Sequence, residues 1–238
     1  MKKVNRNENI NTKDYWDNRF KTNNPKSWKS VGGELQSQKY AKRIAQSLKM
    51  QNNFSGTILD FGCAAGDAIP IYQIKYPMAK YIGMDFSDEA IKQCRTKFQG
   101  SNITFVVGSI NDLPKVDVII ISHVLEHLSN DKNIVFKLLQ KCNSLYIAVP
   151  FEEKIIEGGE HINSYNSKSF DYLIDEMDVS INFEIHEFKK NIKAKVFSFY
   201  HIELKNLIRP FFKKRKAFRK KSSQILFNIT QNKQFSPC

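Results

Sequence analysis

The stretch Ile58-Leu59-Asp60-Phe61-Gly62-Cys63-Ala64-Ala65-Gly66-Asp67 ends an apolar run in an acid and follows it with small residues at 62, 64 and 66. Small residues let a backbone turn sharply and approach a ligand closely. Twenty-five residues after Asp60, a second apolar run ends in Asp85. A carboxylate there can accept hydrogen bonds from both hydroxyls of an adenosine ribose, and the adjacent Phe86 can cover an adenine face. Nicotinamide enzymes use the same ribose chemistry, but their loop wants glycines spaced G-x-G-x-x-G. The small residues here fall two apart and fit that fingerprint poorly.

Positioning those acids requires strands that end where they stand. Residues 57–61, 80–85, 103–107 and 116–122 read as four strands, the last buried on both faces, and 145–149 as a fifth, stopped by Pro150. Helices are expected over 67–75, 87–98 with Ser87 as N-cap, 131–142 and 169–176. The alternation of Ile181, Phe183 and Ile185 with polar neighbours predicts a sixth strand over 180–188, and 224–230 a seventh. Before the first strand, a helix over 12–20 is capped by Thr12, and a second over 34–49 has Leu35, Tyr40, Ile44 and Leu48 roughly on one face. Strands alternating with helices imply an α/β fold: a Rossmann-like, seven-stranded, mostly parallel sheet with helices on both faces. No compact helix pattern separates the last two strands, so an antiparallel closing strand is expected. The chain divides into an N-terminal helical cap (1–50), a core (51–188), a basic amphipathic insertion (189–223) and a final strand and tail (224–238).

Hydrophobic residues make up 41% of the chain and charged ones 26%, the composition of a folded domain. Cys63, Cys94, Cys142 and Cys238 are scattered, which points to a reduced, cytoplasmic protein, and no spacing suggests a metal site. The basic N-terminus is followed by no apolar run, so no signal peptide is expected. The run 116–121 is far too short to span a bilayer. The formal net charge of +13 belongs to the end of the chain: residues 189–238 hold 14 Lys and Arg against Glu203 alone.

Taken together, these residues resemble the class I S-adenosylmethionine-dependent methyltransferases, particularly those acting on small molecules, quinones and sugars. Asp60, Gly62, Ala64 and Gly66 match that family's acid-x-G-x-G-x-G loop, with Ala64 replacing the middle glycine, and Asp85 matches its ribose acid. Where the family has an acid near the adenine amine, this chain has Ser109, which can still hydrogen-bond, followed by Ile110, which can pack on adenine; Asp112 is a secondary alternative. The run Ser122-His123-Val124-Leu125-Glu126-His127-Leu128 resembles the segment that lines the methionine end of the cofactor, with His123 against its backbone. Tyr15-Trp16-Asp17-x-Arg19-Phe20 resembles a helix that covers the cofactor, which brings in Tyr15 and Arg19. The resemblance implies S-adenosylmethionine as cofactor.

Methyl transfer from a sulfonium is an in-line displacement, in which an enzyme aligns two groups and excludes water. A hydroxyl acceptor also benefits from a general base, whereas an amine need only be neutral. His127 and His161 are the candidate bases; His127 and Glu126 can instead be a structural pair closing their loop. An Asn/Asp-Pro-Pro-aromatic motif, common where nucleic-acid amines are methylated, is absent, which counts against nucleic acid. In and next to the segment 205–221, Leu204, Ile208, Phe211 and Phe218 follow one helical face among basic residues. Such a face suits an anionic membrane surface; the alternatives are a solvated insertion packing its phenylalanines on the domain, or a nucleic-acid backbone contact. The expectation is O-methylation of a small-molecule, sugar, polysaccharide-precursor or lipid-like acceptor, in the cytoplasm and peripheral at the inner membrane face. RNA or small-amine N-methylation and a non-catalytic binding module of the same fold are the alternatives.

Overall fold

β-Branched and aromatic runs fix the centre of the sheet. The computed structural model describes residues 11–188 and 223–232. Four parallel strands, β1 (Thr57–Phe61), β2 (Lys80–Asp85), β3 (Ile103–Val107) and β4 (Val116–Ser122), have the expected bounds. With β5 (Cys142–Pro150), β6 (Val179–Glu187) and β7 (Ser223–Gln231) they form one sheet in the order β3-β2-β1-β4-β5-β7-β6. Strands β1 to β5 are parallel, and β7 runs antiparallel to both β5 and β6. The strand order reverses between β1 and β4, the place where open α/β sheets bind ligands at the carboxyl ends of their strands.

Helices α1 (Lys13–Phe20), α2 (Gly33–Ser47), α3 (Ile69–Lys75), α4 (Asp88–Lys97), α5 (Asp131–Leu139) and α6 (Tyr172–Glu176) complete the described residues. Val118, Ile119, Ile120 and Ile121 of β4 are buried and alternate between two core layers, one on each face of the sheet. Thr12 and Ser87 cap α1 and α4, each hydroxyl accepting from a backbone N–H three residues on.

Several expectations need correcting. α5 ends at Leu139, and Cys142 opens β5 instead of closing a helix. The helix expected from Asp67 begins at Ile69, with Pro70 in its first turn, and the one expected from Ser169 begins at Tyr172. On α2 the buried face is Ala41, Ile44 and Ala45, with Leu48 just beyond the helix, while Leu35 is 73% exposed. β6 is an edge strand, so Phe183 and Ile185 are 47% and 45% exposed on its apolar side. Most of the basic insertion, including 205–221, lies outside the described residues; its flanks, Phe188 and Ser223, are within them. Gln224 pairs with Pro150 at the carboxyl end of β5, so the insertion starts and finishes at the ligand-binding end of the sheet. Among the described residues no helix is long and apolar enough to cross a membrane.

Candidate functional site

The loop after β1 is built to be narrow. Gly62 (φ 76°) and Gly66 (φ 78°) have left-handed backbones, and a Cβ on Gly62 would stand 2.4 Å from Val124 Cγ2. Val124 therefore seats the turn after β4 directly on the loop. Ala64, at φ 50°, adopts a conformation that costs a non-glycine residue about 1–2 kcal/mol. Ala64→Gly is accordingly expected to be neutral or stabilising by up to about 1 kcal/mol in thermal melts, since glycine's greater unfolded-state freedom offsets part of the relief. A clear loss of stability would mean that the Ala64 methyl packs productively against its neighbours.

Two buried acids face this loop. The Asp85 carboxylate accepts from Ala64 N–H (2.9 Å, Oδ2) and Ser87 N–H (3.0 Å, Oδ1). Burial pushes its carboxyl up to about 6, against the lowering effect of those bonds. Asp60 is buried with Oδ2 lacking a hydrogen-bond partner among the described residues; burial, with the Asp85 charge added, pushes it up to about 7. A carboxylate left without a partner in this way fits a cationic ligand group. Because the folded-state value lies above the unfolded one, ionised Asp60 costs stability, and that cost grows from about pH 4 to pH 7. Asp60→Asn should thus stabilise the ligand-free chain progressively more across that window, by a few kcal/mol (roughly 2–4) at pH 8. Melts that differ from wild type by the same amount at pH 4 and pH 8 would contradict it.

Phe86 and Ile110 are half-buried near these acids in sequence, and Gly108 N–H donates to the Asp85 carbonyl, tying the β3 end to the β2 end. Ser109 turns inward on its own loop: its N–H and hydroxyl both donate to Asp112 Oδ2, at 2.9 and 2.8 Å. The expected adenine-side substitute is therefore a Ser109–Asp112 unit rather than a free hydroxyl.

α1 closes the same end of the sheet. Asp17 Oδ1 accepts from Ser87 Oγ at 2.5 Å, and the Trp16 ring meets His127 edge-on, with ring centres 5.3 Å apart. Tyr15 and Arg19 converge on Glu160: the Tyr15 hydroxyl donates to Glu160 Oε1, and Arg19 Nη2 lies 3.8 Å from the same oxygen. Burial pushes Tyr15 up to about 12, with Glu160 adding to the shift.

After β4 the chain makes a 3-10 turn, Leu125–His127, preceded by His123 in a left-handed conformation (φ 56°). Such strain in a non-glycine residue clusters at functional sites. The turn buries Glu126 completely. Burial acts to raise its carboxyl, but the neighbouring His123 and His127 outweigh that and hold it below the usual range. His123 Nδ1 lies 3.2 Å from Glu126 Oε1, its ring stacks on Tyr40 with centres 3.8 Å apart, and its Nε2 meets Gln224 Oε1 at 3.1 Å. His127 and His161, 34 positions apart, have ring centres 4.8 Å apart. Each has its Nδ1 held by an oxygen, His127 by the Glu160 carbonyl at 3.0 Å and His161 by Glu153 Oε2 at 2.5 Å. That fixes the tautomer and leaves Nε2 of each ring with its lone pair. Burial pushes the His127 imidazole below its usual range.

The structure thus brings Tyr15, Arg19, His127 and His161 together around Glu160, and Asp60, Gly62, Ala64, Gly66 and Asp85 around the loop. Sequence reasoning did not assign roles to Glu153, Glu160 or Gln224; for Glu160 the available signal is its place next to the candidate His161, just after the Gly158-Gly159 turn.

Residues 52–216 match a methyltransferase-domain family. The chain belongs to that family. Over 77 residues it is 34% identical to a ribosomal RNA small-subunit methyltransferase from Coprothermobacter proteolyticus, spanning 32% of this chain and about a quarter (25%) of that relative's length. Among solved structures, a chain from a Haloferax volcanii complex between a methyltransferase and its activator superposes with a TM-score of 0.61 at 14% identity, covering 86% of this chain and 96% of that one. Magnesium protoporphyrin IX methyltransferase from Synechocystis, solved with S-adenosylmethionine bound, gives 0.57 at 15% identity, covering 97% and 100%. These likenesses establish the class I methyltransferase fold. The family's cofactor is S-adenosylmethionine, and the residues present fit it: a narrow small-residue loop, a buried acid at each of two strand ends, and the unpartnered Asp60 oxygen suited to its ammonium.

Proposed function

We propose that this chain is an S-adenosylmethionine-dependent methyltransferase acting on a hydroxyl of a small-molecule, sugar, polysaccharide-precursor or lipid-like acceptor. The observation that carries the hydroxyl reading is the pair His127–His161, each ring held at Nδ1 and left with a basic Nε2, beside the turn that seats on the cofactor loop. A hydroxyl must lose a proton as it is methylated, and positioned imidazoles serve that need. S-adenosylmethionine supplies an electrophilic methyl group when bound. Asp85 and Asp60 bind and orient it, α1 helps exclude water through Trp16 and Tyr15, and His161 Nε2 takes the acceptor's proton with Glu153 holding the opposite side of its ring. Incubating the protein with methyl-labelled S-adenosylmethionine and fractionated extract tests this. Label in glycan, lipid or small-molecule pools supports it; label in RNA overturns the acceptor class; no transfer with cofactor binding intact favours a non-catalytic binding module.

The identity to the ribosomal RNA enzyme supports a second reading, methylation of RNA or of a small amine. The labelled-pool experiment separates the two.

We also propose that the basic segment works at an anionic membrane surface on the cytoplasmic side. Its support is composition, 13 Lys and Arg against one acid over 189–222, and anchoring of both flanks at the ligand-binding end of the sheet. Polybasic attraction to such a surface is worth about 1 kcal/mol per charge. Deleting 205–221 is expected to abolish co-sedimentation with phosphatidylserine vesicles and to leave cofactor affinity unchanged. Undiminished sedimentation would remove the membrane assignment.

A further inference from the structure

Glu126 stands out among the described residues as a buried acid without a full set of partners. It is fully buried, and its Oε2 has no hydrogen-bond partner among the described residues. An unpartnered buried carboxylate is costly unless something positive meets it. Its Oε1 has the His123 ring at 3.2 Å. On another side lie the imidazoles of His127 and His161, and one ligand atom from each of Glu126, His127 and His161 falls within 4.8 Å of the other two.

We propose that Glu126, His127 and His161 bind a divalent transition-metal ion through one carboxylate oxygen and two imidazole nitrogens, and that the acceptor hydroxyl is ionised on that ion. The ionisation role rests on the hydroxyl reading above; the site itself does not.

Three features carry the assignment. Two imidazoles and a carboxylate are the donor set suited to zinc, iron or manganese, and three protein ligands leave coordination positions open for an acceptor oxygen. Metal-binding histidines commonly donate their other ring N–H to a carboxylate or a backbone carbonyl. Both halves of that pattern are present: His127 Nδ1 donates to the Glu160 carbonyl and His161 Nδ1 to the Glu153 carboxylate. Around a tetrahedral ion with bonds of about 2.1 Å, donors stand about 3.4 Å apart. The observed limit of 4.8 Å therefore closes with side-chain movements that together come to somewhat more than an ångström, and His161, just after a turn and partly exposed, can supply much of them.

A cation at this place changes the proton accounting. A hydroxyl bound to it ionises near neutral pH, its proton passing to solvent. The oxygen then forms the new C–O bond as the C–S bond of the sulfonium breaks, giving methyl ether, S-adenosylhomocysteine and one proton. Glu160 links the site to the cofactor-covering helix, since it anchors His127 through its carbonyl and receives Tyr15 through its carboxylate.

The test uses the full chain, stripped with chelator and dialysed against Zn²⁺, Mn²⁺ or Mg²⁺, with bound metal measured by mass spectrometry and cofactor binding by calorimetry. Wild type is expected to retain one equivalent of Zn²⁺ or Mn²⁺ in preference to Mg²⁺. His161→Ala and His127→Ala should lose it, with melting curves verifying that they fold, and Glu153→Gln should weaken it by about 10–100-fold. Failure to retain any of the three ions, or retention unchanged in both histidine variants, overturns the site. If metal binds but methyl transfer survives chelation undiminished, the ionisation role is overturned. If S-adenosylmethionine itself does not bind, the methyltransferase reading fails, whatever the metal result.

Discussion

Asp85→Asn is expected to weaken S-adenosylmethionine binding by about 10²–10³-fold at pH 8, measured by calorimetry. A carboxylate offers about four lone-pair sites, and Asp85 commits part of them to the backbone, at Ala64 N–H and Ser87 N–H, with Phe86 N–H also acting on it. The rest are available to the ribose hydroxyls. Asparagine removes the charge and turns one of the oxygens into a donor. Whichever way the amide flips, an –NH₂ group then faces either Ala64 N–H or Ser87 N–H, so the loop is disturbed as well as the ribose contact. Hydrogen bonds to a charged group contribute roughly 1.5–3 kcal/mol each, and losing the charge from two of them accounts for the expected ratio at about 1.4 kcal/mol per factor of ten. At pH 8 the wild-type carboxyl, pushed up to about 6, is ionised, so the comparison is between a charge and none. An affinity within about threefold of wild type would remove Asp85 from the ribose role.

Much of this is legible in the sequence, and the reasons are local. β1 to β4 end where the sequence predicts because apolar β-branched runs stop at Gly62, Ser87, Gly108 and the His123 turn. Asp60 and Asp85 were visible as acids at strand ends, and the loop conformation followed from its small residues. The error at Cys142 has a physical source. Val135, Leu138, Leu139 and Cys142 are spaced as one helical face and all four are buried, yet the chain turns at Gln140-Lys141 without a glycine or proline to mark it. The apolar side of β6 was legible as a strand pattern but not as an edge, since neighbours in a sheet are set by topology. Glu160 meets Tyr15 across 145 positions and Glu153 fixes His161 only through a folded loop. No periodicity encodes such encounters, which is why the histidines were nameable as candidates while the groups that orient them were not.

His161→Ala is expected to lower kcat by about 10²–10⁴-fold, the range for loss of a positioned acid–base group, with cofactor affinity unchanged. The separation follows from location. His161 contacts Glu153 and the His127 ring, whereas Asp85 bonds directly to the Asp60–Gly66 loop. A drop in kcat follows whether the ring takes the proton itself or helps hold a cation that ionises the acceptor, and dependence on added metal tells these apart. Glu153→Gln keeps an oxygen near His161 but removes the charge that holds Nδ1–H, so its loss should be smaller and in the same direction. The size of the effect also reports on the acceptor. An amine arrives neutral at high pH and needs no base before it is methylated. A kcat deficit that shrinks below about tenfold as the pH is raised to 9 would therefore favour nitrogen over oxygen as the methylated atom, and an unchanged kcat at every pH would take His161 out of the chemistry altogether.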